Sequence, residues 1–373
     1  LLCGEGAAMK IDRRLIYNFD WTLALLVALI VGMGVLNLYS AGHGISGEPH
    51  VKQIRWVLLG IVVMALAFAF DYRWIARYAY AMHALAVVLL IAVFAVGSVT
   101  KGSQRWINVA GFTMQPSELV KITLILALAK YFNDHRIEGS YGIRELFAPF
   151  LIVLVPFVLV IKQPDLGTAL MLMILFGSMV LFIGVRWRTL LGLAAVGLLI
   201  IPIGWNFLAE YQKERVLTFI DPQRDPLGSG YHIIQSIIAV GSGGILGKGF
   251  MRGTQSQLKF LPEQQTDFVF SVFAEEWGFL GALLVLLLFL ALILWGLKIA
   301  RHSRDYLGTL IAVGVTMLIF WGVFINVAMV LGILPVVGIP LPFFSYGGSS
   351  MVKMMAAMGF LMNVSMRRYV LQS

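Results

Sequence analysis

The chain has 373 residues, of which 60% are hydrophobic and only 13% are charged. A soluble globular domain carries about 25% charged residues, and a single core stops growing at about 250–300 residues. A larger core therefore does not explain the composition, and the surplus apolar surface must face lipid. The net charge of +9 would suggest a nucleic-acid partner in a soluble protein. In a membrane protein, basic loops account for it, and we expect no nucleic acid.

The first eight residues differ in character from the rest of the chain. Met9, followed by Lys10, Arg13 and Arg14, is typical of a natural amino terminus. We therefore interpret residues 1–8 as a non-native or extended segment and residues 9–373 as a single membrane domain. Cys3 is the one cysteine, which excludes an intrachain disulfide and a cysteine-rich metal site.

Ten apolar segments are long enough to cross a bilayer, which takes about 20 residues in a helix. We therefore predict an all-α integral membrane protein with ten transmembrane helices and a large extracytoplasmic loop, 209–266, between the seventh and eighth. The eighth segment is long for one crossing, which indicates tilt or a protruding end. The predicted spans are 20–40, 53–70, 77–98, 116–132, 146–161, 165–184, 189–208, 267–297, 307–332 and 346–365.

The distribution of Lys and Arg predicts the orientation of the bundle. With ten spans, both termini lie on the same side. Fifteen basic residues flank the spans on that side, against five in the short loops opposite. Cytoplasmic loops carry the excess of basic residues, so we predict cytoplasmic termini and a multi-pass protein of the cytoplasmic membrane.

Two short outer segments carry charges next to predicted spans. Pro116 suits a first helical turn, and Glu118 and Lys121 are three residues apart, so they share a helix face and can pair. Charges inside a span are costly and are functional candidates by default; the alternative is a structural ion pair that closes the bundle. In the second segment, Asp165 follows a proline and precedes an apolar run, for which helix capping is a sufficient explanation.

The large loop ends at an acidic residue. Asp267 lies where the loop becomes the eighth span, and the same loop carries Arg215, Arg252 and Lys259. A carboxylate among these cations would suit proton abstraction beside an anionic substrate. The alternative is a helix-initiating aspartate. Before the tenth span, the segment 340–350 contains two prolines and paired glycines, which indicates irregular backbone shielded by protein or a watery cavity.

Six strings, in order along the chain, resemble the SEDS family (shape, elongation, division and sporulation proteins). Within that family, residues 253–258 are more similar to the members that maintain rod shape than to the division members. The strings are Arg105-Trp106-Ile107, Gln115-Pro116-Ser117-Glu118 with Lys121, residues 163–168, Tyr231-His232-Ile233-Ile234-Gln235-Ser236, residues 261–263 with 266–268, and residues 342–349.

The resemblance implies a ten-helix peptidoglycan glycosyltransferase that polymerises lipid II during cell-wall elongation. It implies Asp267 as the essential carboxylate and Glu118 with Lys121 as a further essential pair. It also implies a class B penicillin-binding protein as partner, which supplies transpeptidase activity, together with other membrane proteins of the elongation complex.

The chemistry of lipid II suggests a mechanism. Asp267 would deprotonate the 4-hydroxyl of the acceptor sugar, and the donor's anomeric carbon would be inverted. The residues expected to contact substrate are Arg215, which would stabilise the leaving group, and Arg105, Lys259, Gln115 and Ser345. A divalent cation, Mg or Mn, could bind the pyrophosphate, although the sequence shows no recognisable set of metal ligands.

Two other functions remain open at this point. A lipid II flippase or secondary transporter would also use buried charges, although no internal repeat is obvious and the polar candidates crowd one side. A scaffold for wall synthesis is compatible with catalysis.

Overall fold

The structure is a computed structural model that describes residues 18–43, 48–100, 103–109, 112–207, 210–225, 228–258, 260–261 and 263–368. Residues 1–8 lie outside these ranges, so their interpretation as an extension stays a prediction. Within the ranges the chain is mainly helical. The helices are α1 Trp21–Ala41, α2 Pro49–Ala69, α3 Tyr72–Arg77, α4 Ala79–Val96, α5 Pro116–Asp134, α6 Ile143–Lys162, α7 Leu166–Ile183, α8 Trp187–Phe207, α9 Glu210–Ile220, α10 Ser229–Ser242, α11 Thr254–Gln257, α12 Val269–Arg301, α13 Tyr306–Val330 and α14 Gly348–Arg367, with a 3₁₀ turn at Pro222–Arg224.

Eight of the described helices are long and apolar enough to span a membrane: α1, α2, α4, α6, α7, α8, α12 and α13. The prediction of a helical, multi-pass membrane protein is therefore confirmed. The helices α5 and α14 coincide with the two other predicted spans but are more polar, and the count of ten stays a prediction. Their polarity has a structural reason, because most of their side chains are buried against protein.

The centre of the bundle is formed by α5, α13 and α14. Most residues of α13 are buried, and this helix packs against α5, α12 and α14. Peripheral helices cover this centre: α2 packs along α14, α4 along α5, and α1 along α12. Exposed leucines on the outward faces, such as Leu58 on α2 and Leu85 on α4, are the expected surface of a helix in lipid. The inner helices can therefore carry charges that lipid would not tolerate.

One part of the fold departs from the all-α prediction. Between α4 and α5 the chain forms a small antiparallel sheet of three strands, β1 Ser98–Thr100, β2 Ser103–Val109 and β3 Phe112–Met114, in the order β1-β2-β3. In register, Val99 is opposite Gln104, and Ile107 is opposite Met114. The strands are short and carry no long apolar alternation, so hydropathy did not reveal them. The sheet leads directly into the first turn of α5.

The long eighth span is broken at Gly278, near its amino-terminal end. Gly278 has φ 65° and ψ −165°, outside the helical region, and divides α12 into two parts. Residues of the glycine-rich loop satisfy the freed backbone groups: Lys248 N donates to Glu275 O (3.0 Å), and Phe279 N donates to Gly244 O (2.9 Å). The length of this segment thus reflects two helical pieces joined by a glycine, a feature that the sequence prediction of tilt or protrusion did not include.

Replacing Gly278 by alanine should destabilise the protein. A Cβ atom would lie 2.2 Å from Gly247 N, and a positive φ is strained for any residue with a side chain. We expect Gly278→Ala to cost about 1–3 kcal/mol, measured by thermal unfolding in detergent. Gly177→Ala in α7 is the matched control, because a Cβ there meets nothing within 4 Å. Equal melting temperatures for the two variants would contradict the account of the break.

Candidate functional site

A cavity of about 860 Å³ lies where the loop helices α9 and α10 meet the helices of the bundle. Its walls come from β2, the first turns of α5 and α7, the loop helices α9 and α10, the turn before α12, and the segments 337–340 and 346–350. Polar and charged side chains dominate the lining. They include Arg105, Gln115, Glu118, Lys121, Asp165, Arg215, His232, Glu263 and Asp267. The cavity thus joins most of the residues that the sequence singled out.

Three buried charges lie together at the cavity and beside it. Lys121 Nζ donates to Glu118 Oε1 at 2.5 Å, and Lys353 Nζ donates to the other oxygen, Glu118 Oε2. All three side chains are almost fully buried. Glu118 and Lys121 line the cavity. The predicted ion pair between Glu118 and Lys121 is therefore present. It belongs to a triad of Glu118, Lys121 and Lys353, whose formal net charge is +1.

The local sequence explains where this triad forms. Pro116 occupies the first turn of α5 and Gln115 precedes it, so Glu118 lies at the positive end of the helix dipole, which stabilises a carboxylate. Lys121 follows one turn later on the same face. Lys353 comes from α14, and its partnership with Glu118 was missed because 235 residues separate the two. A lone lysine in an apolar span was the available signal.

Arg105 is held by the turn between α6 and α7. Its Nε donates to Gln163 O (2.9 Å), Nη2 donates to Pro164 O, and Nη1 lies 3.7 Å from Asp165 Oδ1. Asp165 also accepts from Thr168 N (3.2 Å) at the start of α7, which confirms the predicted cap. Gln115 Nε2 reaches the second Asp165 oxygen at 3.2 Å. Arg105 and Gln115 both border the cavity. Their bonds also join the sheet and the start of α5 to the turn between α6 and α7.

Asp267 lies in the turn that precedes α12 and borders the cavity. Its backbone N donates to Glu263 O (3.2 Å), and its carbonyl accepts from Asn326 Nδ2 (3.0 Å). The carboxylate approaches Gly338 so closely that a Cβ there would lie 3.6 Å from Oδ2. Asp267 as a residue is half-buried, at the seam between loop and bundle where the sequence predicted it.

The other predicted contact residues divide into three cases. Arg215 borders the cavity, is exposed, and donates from Nη1 to Val336 O (3.4 Å). Ser345 is buried, and its hydroxyl donates to Thr266 O (2.6 Å) and accepts from Leu341 N (2.8 Å). That hydroxyl holds backbone and is not part of the cavity lining. Lys259 lies outside the described residues.

His232 borders the cavity although the sequence gave it no role. Its ring lies parallel to that of Phe268, with centroids 6.3 Å apart. Burial lowers the pKa of His232 below its ordinary value, and Arg215 acts in the same direction, while the carboxylates of Glu263 and Asp225 oppose the shift. The imidazole is therefore neutral at pH 7 and can give or receive a hydrogen bond.

The described part of the chain contains no group of three or more His, Cys, Asp or Glu side chains arranged to hold a metal ion. Of the acids that border the cavity, Glu118 is paired with two lysines and Asp165 caps a helix. Glu263 and Asp267 also border the cavity, on the loop side, and carboxylate oxygens are ligands that magnesium prefers.

Comparison with known proteins identifies the family. Residues 20–370 match the model of the FtsW, RodA and SpoVE proteins, described as a cell cycle protein family. The chain is 41% identical over 357 residues to the peptidoglycan glycosyltransferase MrdB of Escherichia coli, covering 95% of each chain. It is 33% identical to the peptidoglycan glycosyltransferase RodA of Treponema pallidum, covering 95% of this chain and 99% of that one. The protein therefore belongs to the SEDS family and is most like its RodA members.

Solved structures agree with this assignment. The rod-shape-determining protein RodA of Thermus thermophilus has a TM-score of 0.70 and 30% identity, covering 94% of this chain and 98% of that one. A chain from a structure on the coordination of polymerization and crosslinking by a peptidoglycan synthase complex has a TM-score of 0.81 and 34% identity, with 94% and 98% covered. The bundle is therefore a RodA-like fold.

The triad predicts an order of stabilities. Glu118→Gln would leave Lys121 and Lys353 buried together without a counter-charge, which costs about 3–5 kcal/mol. Lys353→Met would leave the neutral pair of Glu118 and Lys121, so it should cost clearly less. Lys130→Met, at a partly exposed pair with Asp134 (3.0 Å), is the control and should change stability by less than about 1 kcal/mol. Thermal unfolding in detergent measures all three, and a larger loss for Lys353→Met would contradict the charge balance.

The lowered pKa of His232 predicts a contribution to acid sensitivity. The His232 side chain of the unfolded chain binds a proton at a higher pH than that of the folded protein. His232 therefore does not lower the free energy of unfolding above about pH 6.5, and it lowers that free energy as the pH falls below this value. His232→Gln keeps a polar side chain but cannot titrate. The drop in melting temperature between pH 7.5 and pH 5.5 should therefore be smaller in the variant than in the wild type. An identical drop would contradict burial as the cause of the shift.

Proposed function

We propose that this protein is a peptidoglycan glycosyltransferase that polymerises lipid II at the outer face of the cytoplasmic membrane during cell-wall elongation. The observation that carries the proposal is the position of Asp267, whose carboxylate shares one cavity with Arg215 and Lys121 at the seam between loop and helices. The names of its relatives, peptidoglycan glycosyltransferases MrdB and RodA, support the same activity.

In the proposed reaction, Asp267 is the general base. Its carboxylate takes the proton of the acceptor sugar's 4-hydroxyl, and the oxygen forms a bond to the donor's anomeric carbon with inversion. The bond from that carbon to polyprenyl pyrophosphate breaks, and its electron pair leaves with the pyrophosphate. A carboxylate beside a cavity suits this work, since a base must be within hydrogen-bond reach of the proton it takes.

Stabilisation of the leaving pyrophosphate is assigned to cations at the cavity. Arg215 is exposed and borders the cavity, and a guanidinium can bind a phosphate in two places. Lys121 belongs to a triad with surplus positive charge. Arg105 is already engaged by Asp165 and two carbonyls, and we assign it mainly to shaping the wall.

A divalent cation, Mg or Mn, stays part of the proposal. With Asp267 and Glu263 on the loop side, the residues present fit an ion that the pyrophosphate itself brings, because Mg²⁺ commonly binds one or two carboxylates plus substrate phosphates. Such an ion would neutralise charge on the leaving group. The chain's own contribution, proton removal and cation contacts, does not depend on it.

The proposed orientation places both termini in the cytoplasm and the cavity outside, because the basic residues concentrate on the side of the termini. A similar structure belongs to a peptidoglycan synthase complex. This supports a class B penicillin-binding protein as the partner that crosslinks the strands, with other elongation-complex membrane proteins as further partners. Ser345 is proposed to support the site through the backbone rather than to contact substrate.

A flippase remains the alternative function, since the charges of the triad would also suit a transport path. Purified protein in vesicles with labelled lipid II separates the two. Glycan strands formed without a partner enzyme support the polymerase, whereas translocation of lipid II without polymer supports the transporter.

The base assignment makes a direct prediction. Asp267→Asn removes the proton acceptor but keeps the shape of the side chain, so polymerisation of lipid II by the purified, folded variant should fall at least about 100-fold. Asp134→Asn, at an exposed carboxylate near the other end of α5, is the matched control and should retain activity. Gel analysis of labelled glycan strands is the measurement. Wild-type polymerisation by Asp267→Asn would remove Asp267 from the mechanism.

A further inference from the structure

Asn326 is a fully buried polar residue in the apolar helix α13. Its amide nitrogen Nδ2 donates two hydrogen bonds, to Asp267 O at 3.0 Å and to Ile339 O at 2.9 Å. Burying an amide in such surroundings is unfavourable unless it is hydrogen-bonded. The two bonds therefore indicate what this side chain is for.

The two carbonyls belong to two different segments that line the cavity. Asp267 lies in the turn before α12, and Ile339 lies in the segment that follows α13; both residues border the cavity, while Asn326 lies behind them. The carboxylate of Asp267 lies near the same segment, because a Cβ atom at Gly338 would be 3.6 Å from Oδ2. One side chain thus bonds both to the residue proposed as the base and to segment 337–340.

Further groups hold the same turn and the start of α12. The hydroxyl of Ser345 donates to Thr266 O (2.6 Å), and Asn37 Nδ2 on α1 donates to Val269 O (2.9 Å). Tyr346 N donates to Gln265 O (2.8 Å). Three consecutive carbonyls, from Gln265 to Asp267, are therefore bound by groups from outside the turn. Among these three carbonyls, the one bound by Asn326 belongs to Asp267 itself.

We propose that Asn326 is a positioning residue, which places the carboxylate of Asp267 against the 337–340 wall in the geometry needed to take the acceptor's proton. This inference rests on the proposed function of Asp267 as base. Catalytic groups need placement within about 0.5 Å, and an error of about 1 Å can cost about 100-fold in rate. Losing the amide would remove the link between the Asp267 turn and segment 337–340 while leaving the carboxylate in the protein.

The chain contains a matched control, Asn363 on α14. This residue is also fully buried, and its Nδ2 donates to two backbone carbonyls, Ala67 O at 2.8 Å and Phe70 O. These carbonyls lie at the end of α2, away from the cavity. Its oxygen additionally accepts from Arg367 Nε (2.7 Å), so Asn363→Ala should cost at least as much stability as Asn326→Ala.

The experiment compares Asn326→Ala, Asn363→Ala and Asp267→Asn as purified full-length proteins. Melting temperature is measured for each, and kcat and KM for polymerisation of lipid II are measured below the lowest melting temperature. We expect both asparagine variants to lose stability. Asn326→Ala alone should lose about 10–100-fold in kcat with KM changed by less than about threefold, because positioning of the base acts on the chemical step and not on substrate binding.

If Asn326→Ala does not fold, Ser345→Ala removes a weaker hold on the same turn and should lower kcat in the same direction. Equal kcat values for the Asn326 and Asn363 variants, or a Ser345 variant with wild-type kcat, would overturn the inference. An active Asp267→Asn protein would instead overturn the proposed function, so the two failures are distinguishable.

Discussion

The buried carboxylate of Glu118, bound by Lys121 and Lys353, is the interaction on which the centre of the bundle depends. It joins α5 to α14, two helices too polar to face lipid, and protein surrounds both of them. Three charges are tolerable there because each is paired and the outer helices exclude lipid. The surplus positive charge also lies where the cavity begins, which links the stability of the bundle to the chemistry proposed above it.

The end of the bundle that carries the cavity is organised by bonds to backbone rather than by a continuous helix. The turn before α12 is held by Ser345 and Asn326, and the break at Gly278 is closed by the glycine-rich loop. Irregular backbone at this depth requires such partners because lipid offers none. The consequence is that hydrogen bonds from several segments hold the turn that carries the carboxylate of Asp267.

The sequence predicted those features that depend on local spacing. The pair Glu118–Lys121 followed from three-residue spacing, and the cap at Asp165 followed from its position before an apolar run. Lys353 and Asn326 were not assigned partners, because their partners are distant in sequence and reach them only through packing. The short strands and the role of Ser345 were missed for a similar reason: hydropathy reports burial and period, but not which carbonyl a hydroxyl will reach. Local chemistry alone did not decide whether Asp267 is a catalytic acid or only an aspartate that initiates a helix. The resemblance to the family favoured the catalytic role.

The central claim is that the cavity at the loop–membrane seam holds the reacting sugars. A lipid II analogue with a photoreactive group on its disaccharide, cross-linked to the purified protein and mapped by peptide mass spectrometry, tests it most directly. The account predicts labelling of cavity residues such as Thr113, Val337 and Tyr346, with loss of label when unmodified lipid II competes. Competed labelling confined to outward-facing residues, such as Leu58 or Leu85, would contradict it.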